Sequence, residues 1–209
     1  MTVFWGPGAA GSGVAETLAY INGINYHGFV GIPTLITKIF AVVFAVCAGL
    51  SIGKEGPLSH IGSLVGLFMI YLPFPFTKYF RNDREKRILV AAGSGVGVSV
   101  VFGAPIGGVL FAYELSKGQS FWTFSLAWRT FFATSLANFV FSFLKAIKAG
   151  DYYNISNSGI LKFGIKGQAH HYGIADIPVF AFIGILAGIL GALFVHVNTW
   201  INKRRKLYL

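Results

Sequence analysis

Long apolar stretches, separated by charged residues, dominate this chain of 209 residues. Runs with little or no charge cover 39–53, 56–77, 88–113, about 121–147 and 177–202. A helix that crosses a membrane needs about 20 apolar residues, so 56–77, 121–147 and 177–202 are predicted to cross. Pro105 interrupts the 88–113 run. Because proline ends or kinks a helix, we predict two short or tilted helices there, at about 87–101 and 105–117.

The composition supports a membrane protein. Hydrophobic residues make up 55% of the chain and charged residues 11%, whereas about a quarter of a soluble domain is charged. We therefore predict an all-α fold, a polytopic membrane helix bundle with tilted and broken helices, in one transmembrane domain over residues 1–209. Glycines four residues apart let helix backbones approach closely in lipid. Four such pairs are present: Gly49/Gly53, Gly62/Gly66, Gly103/Gly107 and Gly184/Gly188.

Basic residues lie at the ends of apolar runs and give a net charge of +10. One cluster falls within 78–87 and another within 203–206. This placement favours membrane lipid as a partner and not nucleic acid, and the positive-inside rule puts both clusters in the cytoplasm. The 148–175 loop is then extracytoplasmic. It contains an N-glycosylation sequon at Asn154, which is weak support for this topology.

Two glycine-rich stretches, 8–16 (GAAGSGVAE) and 53–57 (GKEGP), each break the apolar pattern just before a helix-like segment. Irregular backbone at membrane depth is tolerated only where it is buried in protein or lines a cavity. A helix N-terminus carries a partial positive charge of roughly half a unit. Two such ends aimed at one point make an anion site. We predict a site of this kind without any full positive charge, since conduction requires moderate binding.

Glu55 and Ser12 are the polar side chains of the two breaks. An acidic group at membrane depth costs about 2.5–3.5 kcal/mol, so we interpret Glu55 as functional: a tethered carboxylate that fills the anion site and vacates it. The alternative is an interfacial carboxylate that only complements the helix dipole. The Ser12 hydroxyl can donate to an anion, and a role as helix N-cap fits the same position.

Three motifs together resemble the CLC family of chloride channels and chloride/proton exchangers. They are 11–16 (GSGVAE), 53–57 (GKEGP) and 102–111 (FGAPIGGVLF), in family order. The resemblance implies part of the CLC inverted-repeat fold, chloride as the transported ion with no cofactor, and a homodimer with one pore per subunit. It also implies that Ser12 contacts the central anion and that Glu55 is the gate. The implied anion-binding residues are Ser12, Gly13, Val14, Gly53, Lys54, Glu55, Gly56 and Pro57.

Two positions depart from the family pattern. Ala15 stands where the family has a proline, which we expect to loosen that helix start. Leu115 stands where exchangers carry the second of two adjacent glutamates, the one that relays protons, and only Glu114 is retained. We therefore predict voltage-gated, channel-type chloride transport. A chloride/proton antiporter, or a truncated non-conducting membrane subunit, remains the alternative, because the resemblance extends only to the first helix of the second repeat.

Enzyme function is not expected. The glycines at 93, 95 and 97 lie in an apolar run and not in a soluble βαβ unit, which a dinucleotide fingerprint requires. His170 and His171 are adjacent and lack the helical spacing of metal ligands. No metal site is therefore predicted.

Overall fold

A computed structural model of the protein describes residues 2, 4–25, 28–50, 52–73, 81–118, 122–150, 173 and 176–207. Within this part of the chain every regular element is helical. The α-helices are α1 (Val14–Ile21), α2 (Ile32–Cys47), α3 (Glu55–Phe68), α4 (Asp83–Phe102), α5 (Pro105–Ser116), α6 (Phe124–Ala149) and α7 (Ile177–Leu207). Short 3-10 turns lie at Pro7–Ala9 and Met69–Tyr71. The predicted all-α class is confirmed.

The break predicted at Pro105 is confirmed in detail. α4 ends at Phe102, and Gly103 follows with a φ of 65°, a left-handed conformation that favours glycine. Pro105 then opens α5, where its missing N–H would have had no partner in the helix. The amide of Ala104 donates to the carbonyl of Ser99 at 3.0 Å. The turn is therefore closed on itself.

The centre of the first unit is a backbone contact between α3 and α4. The carbonyl of Gly93 occupies the place where a Cβ on Gly62 would stand, and the carbonyl of Gly62 does the same for Gly93. Gly66 meets the backbone of Leu89 in the same way. The packing predicted for the Gly62/Gly66 pair is confirmed, since any side chain at these positions would force the helices apart.

Two of the other glycine pairs serve different purposes. Gly49 and Gly53 lie in the link between α2 and α3, outside any helix. Gly103 ends α4, and only the Cβ of Ala104, at 3.4 Å, would touch a Cβ on Gly107. Close packing was the wrong interpretation for these two pairs. The last pair lies on α7, which is described by itself below.

Helix α6 has an inside-out distribution of side chains. Its buried face is a stripe of small and polar residues, and the hydroxyls of Thr130 and Ser142 donate to carbonyls one turn earlier, at 2.9 and 2.8 Å. Its large apolar side chains face outward, Phe132 being 64% exposed and Phe139 57%. Polar groups directed inward and bulky apolar groups directed outward are what a lipid-facing helix requires.

Helices α6 and α7 are long and apolar enough to cross a membrane. In place of one helix over 56–77, α3 has 14 residues and ends at Phe68, a length of about 21 Å against a hydrocarbon core of about 30 Å, and the 3-10 turn Met69–Tyr71 follows it. The described residues therefore show a short helix where a crossing was expected.

The chain divides into two units, Met1–Phe163 and Gly164–Leu209. Within the second unit, α7 runs from Ile177 to Leu207, so the helix begins where the apolar run was predicted to begin and continues through the basic cluster. Most of the 148–175 loop, with the sequon at Asn154, lies outside the described residues. The single domain and the membrane topology stay predictions.

Candidate functional site

The first break brings the chain into α1 through two left-handed glycines, Gly11 and Gly13. Gly13 is the N-cap residue, with a φ of 82°. A Cβ at this position would coincide with the ring of His60. Only glycine therefore fits, both in conformation and in space. The α1 N-terminus is seated directly against α3 by this contact.

Ser12 stands one residue before the N-cap. Its hydroxyl oxygen accepts a long hydrogen bond of 3.4 Å from the amide of Val14. The interpretation of Ser12 as the N-cap residue is therefore wrong by one position, although the hydroxyl still touches the first helical amide. Its own proton stays available for an anion, because a hydroxyl donates once and accepts twice.

The second break leads into α3 without a side-chain cap. Lys54 is the N-cap residue and Glu55 the first helical residue, and no side chain among the described residues caps this end. The first amides of a helix lack partners within the helix. The carboxylate of Glu55 is folded back onto Gly53, where it occupies the place that a Cβ would need. The acidic group thus lies beside the open end of its own helix.

The two breaks meet. A Cβ placed on Gly56 would lie 2.7 Å from the Cβ of Ser12 and 3.5 Å from the methyl Cγ2 of Val14. The starts of α1 and α3 are therefore in contact, as an anion site shared by two helix ends requires. Of the eight predicted residues, Ser12, Gly53 and Pro57 line one common cavity, while the other five form the two helix starts around it.

This cavity has a volume of about 540 Å³. The loop around Ser12 forms one side of it, and apolar residues of α2, among them Ala41, Val42 and Ala45, form another. Gly53 and Pro57 close it from the direction of α3. A cavity with apolar walls and converging amide dipoles suits a small, partly dehydrated anion.

Lys38 is the residue that sequence reasoning missed. In the sequence it stands just before the apolar run 39–53. In the structure it lies inside α2, is only 1% exposed and lines the cavity. Its Nζ donates to the carbonyls of Gly11 at 2.8 Å and Ala9 at 3.1 Å. The sequence does contain a signal, because Thr34, Thr37 and Lys38 are spaced as one face of a helix. In the structure all three residues are buried.

A full positive charge therefore borders the proposed anion site, which corrects the expectation that none would be there. The ammonium group has three donors, and the two loop carbonyls take two of them. Lys38 thus fixes the backbone that carries Ser12 and also supplies charge to the cavity. The anion environment is more positive than two helix ends alone would make it.

A stack of three rings links α1 and α3. The ring centroids of Phe29 and His60 are 4.8 Å apart with an interplanar angle of 7°, and those of Tyr20 and Phe29 are 5.2 Å apart. His60 lies on α3, Tyr20 on α1 and Phe29 in the segment between α1 and α2. His60 also touches Gly13, so one ring of the stack lies against the N-terminus of α1.

Comparison with known proteins identifies the family of this chain. A family model described as "Voltage gated chloride channel" matches residues 1–209. The chain belongs to this voltage-gated chloride channel family. Relatives are an H(+)/Cl(-) exchange transporter 7 from Mus musculus, 39% identical over 217 residues, and a chloride channel protein C from Dictyostelium discoideum, 38% identical over 214. A third is chloride channel protein CLC-a from Arabidopsis thaliana, 37% identical over 216 residues.

The match covers 99–100% of this chain but only 27–28% of each of those three relatives. The chain therefore spans about a quarter of their length. Membership of the family makes this a multi-pass membrane protein, and α6 and α7 are long enough to cross.

The two departures from the CLC pattern have clear structural settings. Ala15 is the second residue of α1, which begins at Val14 despite the missing proline. Leu115 is 8% exposed and belongs to an apolar cluster with Ile21, Leu67 and Val90. The carboxylate of Glu114 is directed away, 70% exposed, with Lys117 Nζ at 3.9 Å. In this CLC chain the inward-facing position on α5 is apolar.

Proposed function

We propose that this chain forms part of a chloride pathway across a membrane, with Glu55 as its gate. The observation that carries the proposal is the contact between Ser12 and Gly56, which joins the starts of α1 and α3 beside the acidic side chain. The relatives' names refer to chloride channels and to H(+)/Cl(-) exchange. Chloride as the ligand, the absence of a cofactor and a homodimeric state remain predictions for the whole protein.

Chloride would be held by dipoles and one shared cation. The Ser12 hydroxyl, the amides of Gly13 and Val14, and the backbone of Gly53 to Pro57 supply donors. Lys38 adds a positive charge that is already hydrogen-bonded to two carbonyls, so it attracts the ion without forming a direct, tight ion pair. This gives the moderate binding from which an ion can still leave.

Glu55 would act as a competing anion. Its carboxylate already lies against Gly53, and Gly53 lines the cavity. Rotation about the side-chain torsions, or protonation, would remove the negative charge from the helix end and admit chloride. A full charge that crosses the whole membrane field gains about 2.3 kcal/mol per 100 mV, and a carboxylate that swings through part of that field gains a proportional share, which would make the gate responsive to voltage.

Passive, channel-type conduction is favoured by the surroundings of Leu115. A leucine in an apolar cluster cannot bind a proton, and the neighbouring Glu114 faces outward beside Lys117. Exchange is the second candidate. It is favoured by the identity of 38–39% to the relatives named as exchange transporters, and it would require a proton route that does not use position 115.

The test is chloride efflux from vesicles that contain the purified protein, measured with and without a pH gradient. We expect Glu55→Gln to raise chloride flux several-fold at neutral pH and to abolish its dependence on pH and voltage, because the amide no longer competes with the ion. Glu114→Gln is the matched control, since it removes an exposed carboxylate from α5. Its flux should equal that of the unsubstituted protein.

Each other outcome has a definite meaning. Unchanged flux in Glu55→Gln would refute the gate. Stoichiometric proton movement coupled to chloride would refute channel-type conduction and select the exchanger. Chloride binding without any flux, in both the unsubstituted protein and the variant, would select the non-conducting subunit.

A further inference from the structure

A second cavity, remote in sequence from the chloride site, lies between α4 and α6. Its volume is about 380 Å³, and Arg84 and Arg129 both line it. Arg129 is one of the two charges that interrupt the apolar run of α6, and the proposed chloride pathway gives it no role. A cationic side chain in a membrane helix is costly and calls for a functional account.

Two lysines of the same region are paired with carboxylates, whereas the two arginines of the cavity have no such pair in the part of the chain that the structure describes. Lys86 forms an ion pair with Asp83 at 3.0 Å, and Lys117 lies 3.9 Å from Glu114. Among the residues that the structure describes, neither Arg84 nor Arg129 has such a partner. Glu85 is the acidic residue of the lining, so two positive charges and one negative charge face the cavity. The balance is positive.

The lining changes character along the helices. At the end where α4 and α6 begin, it contains Arg84, Thr123 and Ser125; further along it contains Ala92 and Ala133. The Thr123 hydroxyl already accepts from the amide of Leu126 at 3.3 Å. Ser125 is exposed and lines the same cavity, so its hydroxyl is a further donor beside the two arginines.

We propose that this cavity is a binding site for an anionic phospholipid. Arg84, Arg129 and Ser125 would hold the phosphate, and the apolar end between Ala92 and Ala133 would take the start of an acyl chain. Guanidinium groups bind phosphate through paired hydrogen bonds. The polar-to-apolar change of the lining fits an amphiphile better than a free phosphate, and basic pockets between membrane helices are suited to lipid headgroups.

The topology predicted from the basic clusters favours this occupant. Arg84 belongs to the 78–87 basic cluster that the positive-inside rule assigns to the cytoplasmic side. Anionic lipids are concentrated in the cytoplasmic leaflet. The site would therefore open toward the leaflet that contains its ligand.

Native mass spectrometry of the purified protein tests the proposal, with phosphatidylglycerol and phosphatidylcholine as probes. We expect retained phosphatidylglycerol and little phosphatidylcholine. Arg84→Gln and Arg129→Gln should each reduce retention about fivefold, and Arg129→Lys should restore part of it, because the charge returns without the paired geometry. Arg205→Gln is the control; it removes the same charge from the other basic cluster, on α7.

Equal retention in all four variants, or equal loss in Arg205→Gln, would overturn the site. Glycerol 3-phosphate in excess separates the two sources of phosphate: it should leave the lipid in place, and displacement would show that a free phosphate ester is the ligand. Chloride efflux by the same variants is an independent reading. Lipid retention can fail while the Glu55 gate holds, and the reverse is equally distinguishable.

Discussion

The two kinds of break in this chain use the same residues and give opposite results. Around Gly103 and Pro105, the turn closes on itself through the bond from Ala104 to Ser99. Around Gly13 and Gly56, two helix starts face one another, and a cavity of about 540 Å³ opens beside them. Glycine and proline therefore predict where a helix is interrupted, but they do not predict what the interruption does.

The difference comes from the neighbours of each break. The α4–α5 turn satisfies its own backbone groups, so it needs no other element. The loop before α1 leaves the carbonyls of Ala9 and Gly11 to Lys38, which reaches them from α2. The loop before α1 therefore depends on Lys38 for its hydrogen bonds and borders a cavity, whereas the α4–α5 turn makes its own hydrogen bond and only changes the direction of the chain.

The largest expected effect separates these two glycines directly. Gly13→Ala and Gly103→Ala both place a side chain in a left-handed conformation, which costs about 1–2 kcal/mol. Gly13→Ala must also displace His60, and such overpacking costs a further 1–3 kcal/mol or so. Thermal unfolding in detergent should rank Gly13→Ala well below Gly103→Ala. Equal losses would mean that the contact between α1 and α3 is loose.

Lys38→Met should have the next largest effect. The substitution keeps the apolar stem but leaves the carbonyls of Ala9, in a buried bond, and Gly11, in a partly buried one, without their charged donor, a loss of about 1.5–3 kcal/mol. Removal of the charge should also weaken chloride binding roughly tenfold, as measured by calorimetry. Lys117→Met, at an exposed position with a pair at 3.9 Å, is the control and should change neither quantity. Undiminished chloride binding in Lys38→Met would exclude its electrostatic role.

The smallest effect is a gain. Ala15→Pro restores the family's proline in the first turn of α1, where the φ angle that proline fixes matches that of a helix. We expect stabilisation of about 0.4–1 kcal/mol, read from the same unfolding curves. Ala19→Pro, one turn later, should instead cost about 3 kcal/mol. Destabilisation by Ala15→Pro would show that the start of α1 is not relaxed in its present form.

Much of this fold could be predicted from the sequence because long apolar runs mark membrane helices. The end of α4, the bounds of α5 and the start of α7 follow from Gly103, Pro105 and the run that begins at 177, whereas α4 begins at Asp83 and not at the predicted position of about 87. α2 escaped because Lys38 was taken as a boundary, and α3 proved too short because an apolar run does not show where a helix becomes a 3-10 turn. The burial of Lys38 and the end of α3 both depend on tertiary contacts, which cannot be read from the order of residues.

The candidate site was predictable in part for the same reason. Ser12 and Glu55 lie in the two glycine-rich breaks, and the prediction that both helix starts point at one site placed them near each other. Lys38 lies more than 25 positions from Ser12 in the sequence, and only the fold brings its amine to the Gly11 carbonyl. Buried cations that reach across helices are therefore the class of residue most easily missed.

The glycine seam between α3 and α4 has a mechanical consequence. Since Gly62 and Gly93 meet backbone to backbone, α3 and α4 are in direct contact at this point, with no side chain between them to adjust. If Glu55 is the gate proposed above, we expect a swing of its carboxylate on a stationary helix, at a speed set by side-chain torsions rather than by the repacking of whole helices.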